Sequence, residues 1–78
     1  MADVKLPELA KDVNSATVSF WHVEPGEEIA EGGDLVEMLT DKATFNVPAP
    51  ISGKIEKILV EEGQEVNVGD VIAVIKEA

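Results

Sequence analysis

Apolar and polar positions alternate along this chain in short runs, and no stretch of ten or more residues repeats its apolar positions at the 3.6-residue period of an amphipathic helix. Val, Ile and Thr are frequent in these runs, where branched side chains suit a pleated surface, and Gly, Pro, Asp or Asn interrupts them roughly every 8–12 residues. The pattern predicts strands over residues 3–7, 17–24, 35–40, 43–48, 53–60 and 71–76, with shorter pairing segments around Ile29 and Val66. The fold class is all-β. Alternation slips by one residue between Phe20 and Trp21, and a similar spacing recurs in Ile55, Ile58 and Val60. A β-bulge or strand bend at this point in both halves accounts for the shared irregularity.

The same apolar pattern occurs twice. At a constant shift of 37 residues, Val23 pairs with Val60, Gly26 with Gly63, Glu28 with Glu65, Ile29 with Val66, Gly32 with Gly69, Leu35 with Ile72 and Met38 with Ile75. Val18, Trp21 and Val23 likewise align with Ile55, Ile58 and Val60. Matched turn glycines together with matched core positions point to a duplication filling one domain, residues 1–78, in halves of about 1–40 and 41–78. Gly26 and Gly63 follow acid-rich turns, where a positive φ carries no steric cost for glycine. The expected architecture is a flattened β-barrel or sandwich of two similar antiparallel sheets related by a pseudo-twofold axis. Shifted by 37 residues, Asp41-Lys42 falls on Val4-Lys5 or just past Ala78. The Asp41-Lys42 hairpin is then the symmetry mate of the chain ends and belongs at the opposite end of the barrel from them.

Size narrows what such a barrel can do. A chain of 78 residues buries only about 60–65% of the surface exposed when unfolded, which leaves little interior for an enclosed active site. The core is aliphatic, since Phe20, Trp21 and Phe45 are the only aromatics. Phe20 and Trp21, in a strand beside aliphatics, read as core packing rather than as a ligand-stacking pair. Without cysteine there is neither a disulfide framework nor a thiolate metal site. Sixteen acids against six lysines give a net charge of −10, which disfavours nucleic acid and anionic membrane and favours basic partners. No apolar run approaches the roughly 20 residues that span a bilayer, and no signal peptide precedes the first strand, so a soluble, unexported chain is expected.

Most polar candidates offer no chemistry. His22 has no neighbouring serine or cysteine to activate and aligns with Leu59 in the repeat, so it reads as a satisfied or partly exposed packing residue rather than a base. Asp12 and Asn14 open like a calcium loop, but Thr17 stands where the sharp-turn glycine belongs and Val23 where the closing glutamate belongs. No metal is expected. Glu27, Glu28 and Glu31 read as a solvated edge that contributes to docking. There is no nucleophile–base pair, so the domain is not expected to catalyse a reaction itself.

Thr40-Asp41-Lys42-Ala43 lies between two strand-like runs and forms the loop of a hairpin. With no glycine in the loop, a type I turn is expected, because it accepts most residues. Such a tip holds the Lys42 amine out in solvent. Taken alone, that describes an ordinary surface lysine.

Along essentially its whole length the chain resembles the lipoyl domains of 2-oxo acid dehydrogenase complex acyltransferases. The resemblance is carried by Gly26–Ile29, Gly32, Thr40-Asp41-Lys42-Ala43, Val47-Pro48-Ala49-Pro50, Gly53 and the Gly63–Asp70 repeat. In that family the lysine of Asp-Lys-Ala carries lipoate, with glycines sixteen residues before and eleven after it; Lys42, Gly26 and Gly53 stand at those positions. The resemblance implies lipoate covalently attached to Lys42, flanked by Asp41 and Ala43, with Gly26, Gly53, Leu39 and Thr40 as recognition positions. It implies a swinging arm that moves acyl groups and electrons between active sites. Its implied partners are a lipoate ligase or lipoyltransferase, a 2-oxo acid decarboxylase, an acyltransferase core and a dihydrolipoyl dehydrogenase, with the domain itself monomeric. The implied compartment is the bacterial cytoplasm or, as second choice, the mitochondrial matrix, and Asp41–Thr44 looks more like pyruvate-type than 2-oxoglutarate-type domains.

Two departures stand out. The family usually has Glu where this chain has Leu39, a position that bears on ligase recognition. Its first turn often reads Asp-Ile-Gly-Glu-Gly, against Glu8-Leu9-Ala10-Lys11-Asp12 here. Biotinyl domains share the fold and the hairpin lysine but typically flank it with methionines; Asp41 and Ala43 favour lipoate. An unmodified module of the same fold is the third reading.

Overall fold

Hydrogen bonding divides the chain into eight strands and no helix: β1 (Ala2–Lys5), β2 (Ser15–Trp21), β3 (Glu28–Ile29), β4 (Asp34–Leu39), β5 (Thr44–Pro48), β6 (Gly53–Ile58), β7 (Glu65–Asn67) and β8 (Val71–Glu77). These come from a computed structural model that describes residues 1–78. All six expected strands and both short segments are present, with shifted ends. β1 ends at Lys5, before Pro7, which has no N–H to extend a ladder. β2 begins at Ser15, earlier than expected, because Ser15 and Ala16 pair with Asn67 and Val66. It stops at Trp21 and β6 at Ile58, each followed by one further rung: His22 N–H to Leu35 O and Leu59 N–H to Ile72 O, both 2.9 Å.

The strands form two antiparallel four-stranded sheets, ordered β1-β8-β6-β3 and β5-β4-β2-β7. Neither half of the chain makes a sheet alone. β3 crosses from the first half to pair with β6, while β7 crosses from the second to pair with β2. The two halves therefore interlock.

The hydrogen bonds repeat with the sequence. Gly26 N–H donates to Ile55 O at 2.8 Å, and its mate Gly63 N–H donates to Val18 O at 2.7 Å. Even a side-chain bond is duplicated: Glu24 N–H to Glu27 Oε2 (2.8 Å) matches Glu61 N–H to Gln64 Oε1 (3.2 Å). Gly26 and Gly63 both carry positive φ, 94° and 91°. One pair of strands breaks the shift. Val4 faces Ala73 as Val47 faces Val36, and Leu6 bonds Gly69 and Asp70 as Ala49 bonds Gly32 and Gly33. β1 and β5 are thus related by 43 residues rather than 37, a six-residue slip that the chain ends make room for.

Both halves bulge at matching places. Val18 faces Met38 and Phe20 faces Glu37, which leaves Ser19 as the extra residue; in the other half Glu56 is extra between Ile55 and Lys57. The irregularity expected between Phe20 and Trp21 therefore sits one residue earlier. This corrects the assignment of Phe20 to the core. A bulge puts two successive side chains on one face, so Ser19 and Phe20 both point outward and Phe20 is 53% exposed. Trp21 does turn inward against the core, and its indole N–H donates to Val60 O at 3.0 Å.

Sixteen buried apolar residues fill the space between the sheets, with Leu35, Val36 and Met38 of β4 and Ile72, Ala73 and Ile75 of β8 all solvent-free. No polar side chain is buried among them. β1 and β8 run the length of this core. At one end Lys5 faces Val71, and the chain continues through Leu6–Gly69, Val68–Asn14 and Ser15–Asn67 bonds toward the Leu39–Thr17 pair that leads to the hairpin. At the other end Ala2 faces Ile75 and Gly53 faces Glu77. Both termini therefore lie opposite the Asp41-Lys42 tip, across a body 35 Å long.

Candidate functional site

β4 and β5 pair as far as Leu39 and Thr44, so only four residues remain to reverse the chain. Thr40 N–H donates to Ala43 O at 2.9 Å. Asp12 is the only non-glycine residue with positive φ. Asp41 and Lys42 therefore keep negative φ, which excludes turn types I′, II and II′. The Thr40 side chain completes the closure. Its Oγ1 accepts Ala43 N–H at 3.1 Å and Lys42 N–H at 3.2 Å, and its hydroxyl donates to Ala43 O at 2.9 Å.

Asp41, Lys42 and Ala43 are all exposed, and Lys42 is tied to its neighbours through its backbone N–H. Of the other lysines, Lys5, Lys54, Lys57 and Lys76 lie within strands and Lys11 in the loop before β2. Lys42 alone occupies a hairpin tip.

An open groove runs beside the tip, between Asp41-Lys42, the Asp12–Thr17 segment and Glu65. Ser15 Oγ donates to Glu65 Oε2 at 3.2 Å along its floor. The loop after β1 thus shares this groove with the lysine turn, and Asp12, held at φ 67°, is among its lining residues. A second groove, lined among others by Glu28, Ser52, Gly53 and Ala78, is the mate of the first at the terminal end of the barrel. There Ala78 takes the place that Asp41 takes beside Lys42.

This pairing separates the candidate residues. Leu39 and Thr40 adjoin Lys42. Leu39 is 47% exposed between Thr17 and Thr44 on the outer face of its sheet, open to a partner. Gly53 is buried in β6 opposite Glu77, in the terminal groove, and Gly26 lies in the turn before β3, bonded to Ile55. Neither glycine reaches the tip. Of the three expected edge acids, Glu28 lines the terminal groove, Glu27 bonds Glu24, and Glu31 N–H donates to Ser52 Oγ. The groove that Lys42 lines holds the acids Asp12, Asp41 and Glu65, the last being the repeat mate of Glu28. The repeat, followed through to the sheets, is the signal that identifies Glu65. His22 is exposed, with Nε2 2.9 Å from Asn46 Oδ1 and its ring edge-on to Phe20 at 5.3 Å.

A family described as "Biotin-requiring enzyme", the biotin/lipoyl group, matches residues 2–75. The dihydrolipoyllysine-residue succinyltransferase component of the 2-oxoglutarate dehydrogenase complex of Bacillus subtilis (strain 168) is 36% identical over 77 residues, covering 99% of this chain and 18% of that protein. The dihydrolipoyllysine-residue acetyltransferase component of the pyruvate dehydrogenase complex of Staphylococcus aureus is 36% identical over 70 residues, covering 90% and 16%. The chain thus spans less than a fifth of the length of these curated relatives. Among solved structures, the lipoyl domain of the 2-oxoglutarate dehydrogenase complex from Azotobacter vinelandii superposes with TM-score 0.75 at 32% identity, covering 96% of this chain and 95% of that one. A single-chain, multi-domain long-chain acyl-CoA carboxylase contains the same fold, with TM-score 0.83 at 22% identity over 99% of this chain and 7% of its own.

Proposed function

The chain belongs to the biotin/lipoyl family, as a lipoyl domain, and from that premise we propose that Lys42 carries lipoate in amide linkage as the working tip of an acyl-carrier domain. One observation supports Lys42 above the other lysines: it alone sits at a hairpin tip, opposite both termini. A tether attached at either terminus leaves such a tip free to enter another protein's active site.

The residues present suit the group. An exposed primary amine on a short, internally bonded turn is what an acyl-transferring enzyme needs to approach from outside. Attachment forms a bond from the Lys42 nitrogen to the carbonyl carbon of an activated lipoyl donor, an acyl–phosphate anhydride. The carbon–oxygen bond to phosphate breaks, the amine loses a proton, and nothing is oxidised. The bound group supplies a disulfide that accepts an acyl unit together with two electrons. The domain contributes position and recognition, and tethering raises the arm's local concentration at each site. The enzymes implied are a ligase or lipoyltransferase, a 2-oxo acid decarboxylase, an acyltransferase and a dihydrolipoyl dehydrogenase. We assign pyruvate as the oxo acid on the Asp41–Thr44 segment; relatives of equal identity belong by name to both 2-oxoglutarate and pyruvate complexes.

Intact-mass measurement after incubation with lipoate, ATP and a lipoate ligase tests the attachment. The expected result is one lipoyl increment in the wild type and none in Lys42→Arg. A biotin increment with a biotin ligase, or no increment with any ligase, rejects the proposal. Reductive acylation of the loaded domain by a pyruvate and by a 2-oxoglutarate decarboxylase then assigns the oxo acid.

A further inference from the structure

We propose that Thr40 is a positioning residue whose hydroxyl clamps the turn and fixes where Lys42 is presented, and that it is not a surface read by the modifying enzyme. The proposal rests on Lys42 being the acceptor. In the sequence Thr40 stands beside Leu39 as a recognition position. The structure gives its side chain an internal task.

A hydroxyl has one proton to donate and two lone pairs to accept with. In Thr40 all three are used within the turn. The proton goes to Ala43 O at 2.9 Å, and the lone pairs take Lys42 N–H at 3.2 Å and Ala43 N–H at 3.1 Å. No hydrogen-bonding capacity remains for a partner. The two donors it accepts are the backbone N–H of the lysine itself and that of the next residue. The peptide planes on both sides of the Lys42 Cα are therefore held by one oxygen atom.

The backbone alone does not do this. Thr40 N–H to Ala43 O is the only main-chain bond across the loop, and Ala43 N–H goes to the hydroxyl. The loop has no proline to restrict it, and Asp41 and Ala43 are exposed. Removing the hydroxyl frees Lys42 N–H and Ala43 N–H to water, leaves the strands and core untouched, and lets the tip move. A mobile acceptor loses catalytic rate, because a displacement of about 1 Å at a reacting atom can cost up to about a hundredfold.

Thr40→Val keeps the β-branch and volume and removes only the hydroxyl, while Thr40→Ser keeps the hydroxyl. Both are compared with wild type in the full 78-residue domain. Ligase-catalysed lipoylation is followed by intact mass over a range of domain concentrations, and the Lys42 and Ala43 amides by NMR hydrogen exchange. Thr40→Val is expected to lower kcat about tenfold with KM within about twofold, and to speed exchange of both amides at least about tenfold. The melting temperature stays near wild type, and Thr40→Ser restores kcat and the slow exchange of both amides. Unchanged exchange in Thr40→Val overturns the proposal, and so does a rise in KM alone, which would mean contact recognition. Failure of Thr40→Ser to restore the readouts overturns it as well. A wild type that gains no lipoyl mass counts against the function proposed for Lys42 instead, and the exchange measurement then still decides the role of Thr40.

Discussion

Replacing Gly53 with alanine separates two explanations of why a glycine stands eleven residues after Lys42. If it were a recognition element, alanine would spare the fold and impair modification. The structure predicts the reverse. Gly53 is buried in β6 with its neighbour β8 pressed against it, and a Cβ built there would lie 2.3 Å from Lys76 O, 2.8 Å from Ile75 Cγ2 and 3.0 Å from the Lys76 carbonyl carbon. Two of these three atoms are backbone, so no side-chain rotation relieves the clash. The β6–β8 ladder has to open locally, where Gly53 pairs with Glu77.

Overpacking of this kind costs about 1–3 kcal/mol, and a backbone obstacle puts Gly53→Ala near about 3 kcal/mol. A domain of this size has a total stability of about 4–12 kcal/mol. At about 4–8 °C per kcal/mol the melting temperature should fall by about 12–24 °C. Gly26→Ala provides the contrast. Nothing lies within 4 Å of its added Cβ, but φ is +94°, so the cost is about 1–2 kcal/mol of backbone strain alone. Thermal unfolding by far-UV circular dichroism measures both, and intact-mass lipoylation is run well below each midpoint. A Gly53→Ala domain that melts within about 3 °C of wild type would falsify the close-approach account. So would a normally folded variant that ligase no longer modifies.

Two further substitutions test other parts of the structure. Trp21→Phe removes the indole donor to Val60 O, a part-buried 3.0 Å bond, and leaves that carbonyl without its partner; a loss of about 1–3 kcal/mol by urea unfolding is expected, and no loss would show the bond to be dispensable. Leu39→Glu places a charge on a side chain already 47% exposed, so the melting temperature should hold while the rate of ligase modification rises. An unchanged rate would show that Leu39 does not limit modification.

The repeat made much of the barrel legible in the sequence. Matched glycines and matched apolar positions at a shift of 37 located the paired turns at Gly26 and Gly63 and the core residues Leu35, Met38, Ile72 and Ile75. They also set the hairpin lysine opposite the termini. This information is local and periodic: each strand's inward face, each turn's demand for positive φ and the absence of helical spacing depend on residues near one another in the chain. Phe20 shows where periodicity alone fails. Its repeat mate is Lys57, a residue that belongs in solvent, and the matching bulges at Ser19 and Glu56 turn the two outward.

What the sequence did not contain is what depends on which strands meet. The crossing of β3 and β7 between halves and the six-residue slip of β1 against β5 follow from hydrogen-bond partners far apart in the chain, which no local pattern encodes. Gly26, Gly53 and Lys42 are evenly marked by spacing, yet folding sends Gly53 to the terminal end, where Lys76 O leaves no room for a Cβ. It places Glu65 in the groove that Lys42 lines, and Glu28 in the terminal one. The sequence could nominate Thr40 only as a neighbour of Lys42. The turn geometry gave it a function, because a hydroxyl's three hydrogen bonds are fixed by the atoms that surround it.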